Sequence, residues 1–236
     1  MILKDRQKTV LKATVLEHLK TARPVASADL LYAGLGVGPA TIRNEMLALD
    51  EFGYLEQPHT SSGRVPTDKG YRFFVDNLLS EMSLEKKDED LLHRTFAIDE
   101  ADDFVKELTL AIAEISDTFT AAGRLEEDIF YETGLARILE EPELDDPMQA
   151  RMFGRFADML DETIRSIFVE ESFSERVFIG KENPLKEAEE FSMFVSSWHH
   201  PGGSNGFLAL IGPKRTNYSK HNAIIKYIRK ISKDYA

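Results

Sequence analysis

A hydroxyl, a guanidinium and an amide stand within four positions of one another at Thr41, Arg43 and Asn44, directly after Gly38, Pro39 and Ala40. Small residues allow close approach to a surface, a hydroxyl or amide bonds to base edges, and a cation suits guanine or phosphate. Wound at 3.6 residues per turn, the segment turns Ile42, Met46 and Leu49 to one side and Ala40, Asn44 and Leu47 to the other, flanked by Thr41, Arg43 and Ala48. Backbone N–H groups at positions 38–40 would then be open to a phosphate. The alternative is an Arg43 paired with Glu45, Asp50 or another surface carboxylate. Further on, His59-Thr60-Ser61-Ser62-Gly63-Arg64 joins short hydroxyl residues to a glycine and one arginine. Such a loop can follow a phosphate backbone and set its cation into a minor groove. Lys69 and Arg72 would add phosphate contacts, against the ordinary alternative of solvated surface cations, and Arg64 ranks above both.

Other chemistry is thinly supplied. With no cysteine there is no disulfide framework, thiol nucleophile or Cys-based zinc site. His199-His200 lies beside a glycine-rich turn without a spaced carboxylate or third ligand, so a loop pair is expected and not a metal site. The carboxylates from Glu140 to Asp146 form a run, which reads as a solvated loop and not a positioned acid/base pair. Gly202 to Gly206 lacks the lysine and the strand-to-helix setting of a phosphate loop. Gly34, Gly36 and Gly38 alternate between two helical segments, which is a turn. Lys214 and Arg215 are candidate anion ligands, with a structural role as the alternative. No enzyme, cofactor or metal is expected.

The net charge of −12 is at first sight unfavourable for a polyanionic partner. Its distribution changes that. Residues 1–80 carry ten Lys/Arg against nine Asp/Glu, so the acid is confined to residues 81–236, with 19 against 32. No apolar run approaches the ~20 residues of a membrane span. Met1 to Lys12 mixes charged and apolar residues instead of showing a signal peptide's apolar centre, so a cytoplasmic protein is expected.

The elements that must position these residues follow from apolar spacing, caps and breakers. Val10, Leu11, Val15 and Leu19 predict a helix over 6–21, ended before Arg23-Pro24. Ser27 is expected to cap a short helix through Leu30, Leu31 and Ala33, and the turn at 34–37 leads to a third helix from Gly38-Pro39 to about Phe52, closed by Gly53. Tyr54-Leu55 and Val65-Pro66 read as the arms of a hairpin around the polar loop. Thr67 would cap a fourth helix whose stripe runs from Tyr71 through Phe74, Leu78 and Leu79 to Met82. Beyond a charged connection, Phe104, Leu108, Ile112, Ile115 and Phe119 predict a helix over 104–122, and Met152 to Phe168 a second one starting at Pro147. Strands are expected at 176–179, 191–198 and 206–211, the last two forming a hairpin, before a basic helix from about Tyr218 to Tyr235.

Gly36-Val37-Gly38-Pro39-Ala40-Thr41-Ile42-Arg43-Asn44-Glu45-Met46, then Gly53-Tyr54-Leu55 and the run from Gln57 to Arg72, resemble the heat-inducible transcription repressor HrcA family. Gly206 to Arg215, Tyr218-Ser219-Lys220 and Ile179 to Asn183 are similar to that family's C-terminal GAF-like region, and Gly134-Leu135 with Pro142-Glu143 makes a weaker match. The resemblance implies an α+β chain: a winged helix-turn-helix over 1–82 that binds DNA, a connection over 83–98, and a reduced GAF-like dimerisation and regulatory domain over 99–236. It implies a homodimeric repressor of chaperone operons, bound to an inverted-repeat operator in double-stranded DNA and supported by a GroEL-type chaperonin. Contacts would come from Gly38, Ala40, Thr41, Arg43, Asn44, His59, Thr60, Ser61, Arg64, Lys69 and Arg72. Gly38 departs from the family's serine, and the family's inserted dimerisation segment, with part of the GAF-like sheet, is expected to be absent. A ligand- or protein-sensing regulator of other genes is the alternative.

Overall fold

A computed structural model describes residues 3–60, 62–127, 129–170 and 175–233 of this mixed α+β protein, which divides into two units, Met1–Ser80 and Glu81–Ala236. In the first unit, helix α1 (Asp5–Thr21) buries Val10, Leu11 and Val15 and ends where Ala22 turns left-handed at φ 53°. The short helix expected behind Ser27 is instead a 3-10 turn, Asp29–Tyr32, and its start is braced by Asp29, whose Oδ2 accepts from the Ala26 N–H at 2.7 Å. Helix α2 (Pro39–Glu51) buries Ile42, Met46 and Leu49, the side that the spacing predicts. Strands β1 (Leu55–Glu56) and β2 (Val65–Pro66) pair antiparallel, with Leu55 opposite Pro66. Thr67 caps helix α3 (Asp68–Asn77) by accepting from the Gly70 N–H at 3.1 Å. This helix is shorter than its apolar stripe: the backbone leaves helical geometry at Leu78, so Leu79 and Met82 lie beyond it.

In the second unit, residues 83–98 are largely helix α4 (Lys86–Phe96), which buries Leu92 and Phe96. Helix α5 (Ala101–Ser116) ends earlier than the expected 122. Asp117 adopts φ 56°, and the chain reverses into strand β3 (Phe119–Arg124) and strand β4 (Phe130–Thr133), neither of which the sequence suggested. Phe119 continues the helical spacing by coincidence; its ring meets Phe153 edge-on at 5.2 Å from the sheet. Helix α6 (Leu135–Leu139) and a 3-10 turn over Pro142–Asp145 precede helix α7 (Pro147–Asp158), which Asp146 caps by accepting from the Met148 N–H. The single stripe expected from Met152 to Phe168 is split at Met159 into α7 and helix α8 (Leu160–Glu170). Strands β5 (Glu175–Ile179), β6 (Phe191–His199) and β7 (Asn205–Pro213) and helix α9 (Tyr218–Lys233) complete the unit. The antiparallel sheet has the order β4-β3-β7-β6-β5, with Val195 opposite Ala209 in the central hairpin.

Alternation along the strands sends Phe119, Ala121, Met193, Val195, Phe207 and Ala209 to one face, where Phe153, Phe156, Leu160 and Ile164 of α7 and α8 cover them. The other face carries Phe194 and Trp198, which meet Tyr218 of α9 at 5.7 Å and Phe104 of α5 at 5.0 Å. A sheet buried on both faces needs apolar residues at both parities, which explains the near-continuous apolar runs of β6 and β7.

Candidate nucleic-acid interface

The first unit holds helix α2 by its buried side, so its opposite side is left to solvent: Ala40, Arg43, Asn44 and Leu47 are all exposed, and Thr41 is half-buried beside them. Gly38 stands at the N-cap with extended backbone and offers no side-chain bond to the first turn, which leaves the leading N–H groups uncovered. Among the described residues, the side chains of Arg43 and Asn44 have no ion pair or hydrogen bond. Asp50, one of the carboxylates named above as an alternative partner for Arg43, is taken by Arg64 instead: Arg64 Nε donates to Asp50 Oδ2 at 2.8 Å, with the arginine side chain only 13% exposed.

This ion pair also fixes the hairpin loop. Arg64 exchanges two backbone hydrogen bonds with Val25, at 2.8 and 2.9 Å, while its guanidinium reaches α2. Gly63 lies so close to this bridge that a Cβ would stand 2.4 Å from the Val25 carbonyl. Gln57 spans the loop from within, its Nε2 donating to the Thr60 and Ser62 carbonyls, and Ser62 Oγ closes a turn onto His59. His59 and Thr60 are exposed on this braced loop, and Ser61 lies outside the described residues. A cleft of about 380 Å³ runs between helix and loop, lined among others by Arg43, Leu47, Gln57, Thr60, Ser62 and Arg64. The two candidate elements therefore share one surface.

Lys69 and Arg72 stand elsewhere in the local network. Lys69 Nζ donates to the Phe52 carbonyl at 2.7 Å and sits 4.3 Å from the centre of the Tyr54 ring, so it closes the C-terminus of α2. A cation there complements the helix dipole. Gly53, at φ 74°, makes the turn that brings Tyr54 back, and at Gly70 a Cβ would lie 2.1 Å from the Tyr54 carbonyl. Arg72 pairs with Asp76 at 3.2 Å on the outer side of α3. The sequence offered Asp50 only as a partner for Arg43, not for Arg64, and gave Gln57 no role of its own. An ion pair fourteen positions apart has no local period, although an amide beside a proline at the mouth of a polar loop is a recognisable brace.

In the second unit the remaining candidates serve the fold. His200 is buried against Phe104, its Nδ1 accepts from the Gly202 N–H at 3.1 Å, and burial lowers its pKa, while His199 is exposed. Arg215 makes a two-pronged contact with Glu143, at 2.6 and 3.0 Å, and also reaches Glu141. Two members of the acidic run are thus tied to the loop after β7. Lys214 pairs with Glu190 at 2.9 Å. Among the described residues there is no group of three or more His, Cys, Asp or Glu set to hold a metal, and no helix long and apolar enough to cross a membrane.

Residues 69–221 match the family model described as HrcA protein C terminal domain. The chain is 44% identical over 123 residues to the heat-inducible transcription repressor HrcA of Caldanaerobacter subterraneus subsp. tengcongensis, a match that takes in 52% of this chain and 36% of that protein. Against the repressor of the same name from Carboxydothermus hydrogenoformans it is 25% identical, with 97% of both chains covered. That alignment runs over 332 positions, nearly a hundred more than the chain has residues, so internal segments of the relative have no counterpart here. A crystal structure described as that of a hypothetical protein shares the fold with a TM-score of 0.76 over 99% of both chains, at 18% identity.

Proposed function

The chain belongs to the HrcA family of heat-inducible transcription repressors, and we propose that it represses chaperone operons as a homodimer bound to an inverted-repeat operator. In this reading Met1 to Met82 form a winged helix-turn-helix, residues 83–98 connect, and residues 99–236 are a GAF-like dimerisation and regulatory domain that answers to a GroEL-type chaperonin in the cytoplasm. Helix α2 enters the major groove. Arg43 and Asn44 read base edges, Ala40 allows close approach, and Thr41 with the N–H groups after Gly38 takes a phosphate. The loop from His59 through Ser61 follows the backbone beside it, Arg64 and Lys69 hold the helix and loop in place, and Arg72 adds a phosphate contact from α3.

The observation that supports this reading is the uncompensated Arg43 on a solvent-facing helix edge, lining the same cleft as the hairpin loop. A cation left without a carboxylate in a unit that contains nine of them is suited to an external anion. Two copies of α2 would occupy successive major grooves, about 34 Å or a multiple apart.

Titration of the full chain against an inverted-repeat duplex from upstream of a chaperone operon, with a scrambled duplex beside it, tests the proposal. Specific binding should exceed non-specific by about 10³-fold or more. Arg43→Ala should cost about 1–3 kcal/mol and flatten the preference at one base position. Equal affinity for the two duplexes would end the repressor reading.

A further inference from the structure

Helix α7 covers the sheet with Phe153 and Phe156, and its opposite side is composed in a way that its own chain does not use. Arg151 and Arg155 are exposed and have no ion pair among the described residues. Met148 and Met159 flank them at 55% and 42% exposed, and Met148, Arg151, Met152 and Arg155 line a shallow groove. Asp158 is exposed at the carboxyl end of α7, one residue before the break that leads into α8. Among the described residues it makes no ion pair, Arg155 one turn earlier makes none either, and its charge acts on another carboxylate, Glu132 of β4. Partial desolvation raises the pKa of Glu132, and the charge of Asp158 raises it further. Gly154 stands between the arginines and the aspartate, in mid-helix and exposed, where a Cβ would meet nothing within 4 Å. Glycine inside a helix is less stable than alanine, and no close neighbour of Gly154 demands the missing side chain.

These charges are unpaired in a lone chain among the described residues, and together they are self-complementary. Arg151 and Asp158 are seven residues apart, two helical turns, and so lie on the same stripe about 10 Å from each other. We propose that the outer face of α7 is an isologous interface between two copies of this chain, packed antiparallel about a twofold axis at Gly154. In that arrangement Arg151 meets the partner's Asp158 and Asp158 meets the partner's Arg151. A twofold makes every contact occur twice, so one residue pair yields two ion pairs. Gly154 lets the helix backbones approach at the axis, and Met148, Met152 and Met159 supply adaptable apolar surface on either side. The partner is a second copy because one helix face carries both signs of charge at matching separation. A generic acidic partner would satisfy the arginines and leave Asp158 unanswered.

The inference rests on the homodimer reading, and its test separates the two. The mass of the full chain in solution is measured by sedimentation over a concentration series, for the natural protein, Arg151→Glu, Asp158→Arg and the double reversal. The natural protein should be dimeric, and each single reversal should raise the dissociation constant by about tenfold or more by placing like charges in contact. The double reversal should return it to within a few-fold of the natural value, an outcome that general damage to the fold does not produce. Gly154→Leu should also favour the monomer. A dimer indifferent to all four changes would overturn this interface while leaving the dimer intact; a natural protein that stays monomeric would overturn both.

Discussion

At the scale of single residues, the division of labour among the cations of the first unit depends on which of them already has a partner. Arg64 and Arg43 look equivalent in the sequence, each a lone arginine in a polar stretch. In the structure Asp50 distinguishes them, because it can satisfy only the arginine whose backbone is pinned beside it, and Val25 pins Arg64. The role of Arg64 is then to hold loop and helix together, and its loss should act through geometry. A double-mutant cycle on unfolding free energy with Arg64→Gln and Asp50→Asn should show a coupling of about 0.5–3 kcal/mol, the range for residues in direct contact. In operator binding the two single variants should weaken affinity to similar extents, since each frees the same loop. If Arg64→Gln weakened binding strongly and Asp50→Asn did not, Arg64 would be contacting DNA itself. The outward set of α2 was legible because helical period alone separates Ile42, Met46 and Leu49 from Arg43 and Asn44. The Arg64–Asp50 pairing was not, since it depends on the hairpin returning to α2.

At the scale of elements, His221 shows how the second unit's parts are locked together. It lies in the first turn of α9, its Nδ1 is 3.2 Å from Thr216 Oγ1, its ring meets Phe194 of β6 edge-on at 5.1 Å, and it bonds the Ser116 backbone at the end of α5. Burial lowers its pKa to about 4. The unfolded chain takes up a proton below about 6.5, whereas the folded chain resists until about 4, so stability is unaffected above the first value and falls as pH drops between the two. From pH 7 to pH 5 the loss attributable to this ring should be about 2 kcal/mol. Urea unfolding at both pH values should show it, and His221→Gln should have a smaller pH difference than the natural protein; equal differences would mean that the ring is not the sensor. Elements bounded by strong local signals were legible: the proline at the start of α7, the threonine cap of α3, and the glycine-rich turn between β6 and β7. The end of α5 was not, because an aspartate in a left-handed conformation carries no breaker signature, and Phe119 prolongs the apolar period across the break. Missing that end also concealed β3 and β4, since β3 is set by pairing with β7, and β4 by pairing with β3, and not by local preference.

For the whole molecule, the unequal charge of the two units bounds how the chain can hold a polyanion. Residues 81–236 carry a net −13 and residues 1–80 only +1, so phosphate contacts must be few and must come from the first unit. Several of that unit's cations are already engaged, Lys8 with Asp5, Arg64 with Asp50, Lys69 with a backbone carbonyl and Arg72 with Asp76. If each protomer neutralises about two or three phosphates, a dimer displaces about four to six counterions, and the logarithm of affinity should fall with the logarithm of salt concentration at a slope of about −4 to −5. Between 50 and 200 mM salt, operator affinity should then drop by about 10²- to 10³-fold. Anisotropy titrations across that range measure the slope directly, and Arg43→Ala should make it shallower by about two in the dimer if its guanidinium lies on a phosphate, or leave it nearly unchanged if it reads a base. A slope near −9 would require about ten neutralised phosphates, five from each protomer, which would commit nearly every unengaged cation of the first unit and overturn a contact confined to helix α2 and the hairpin loop.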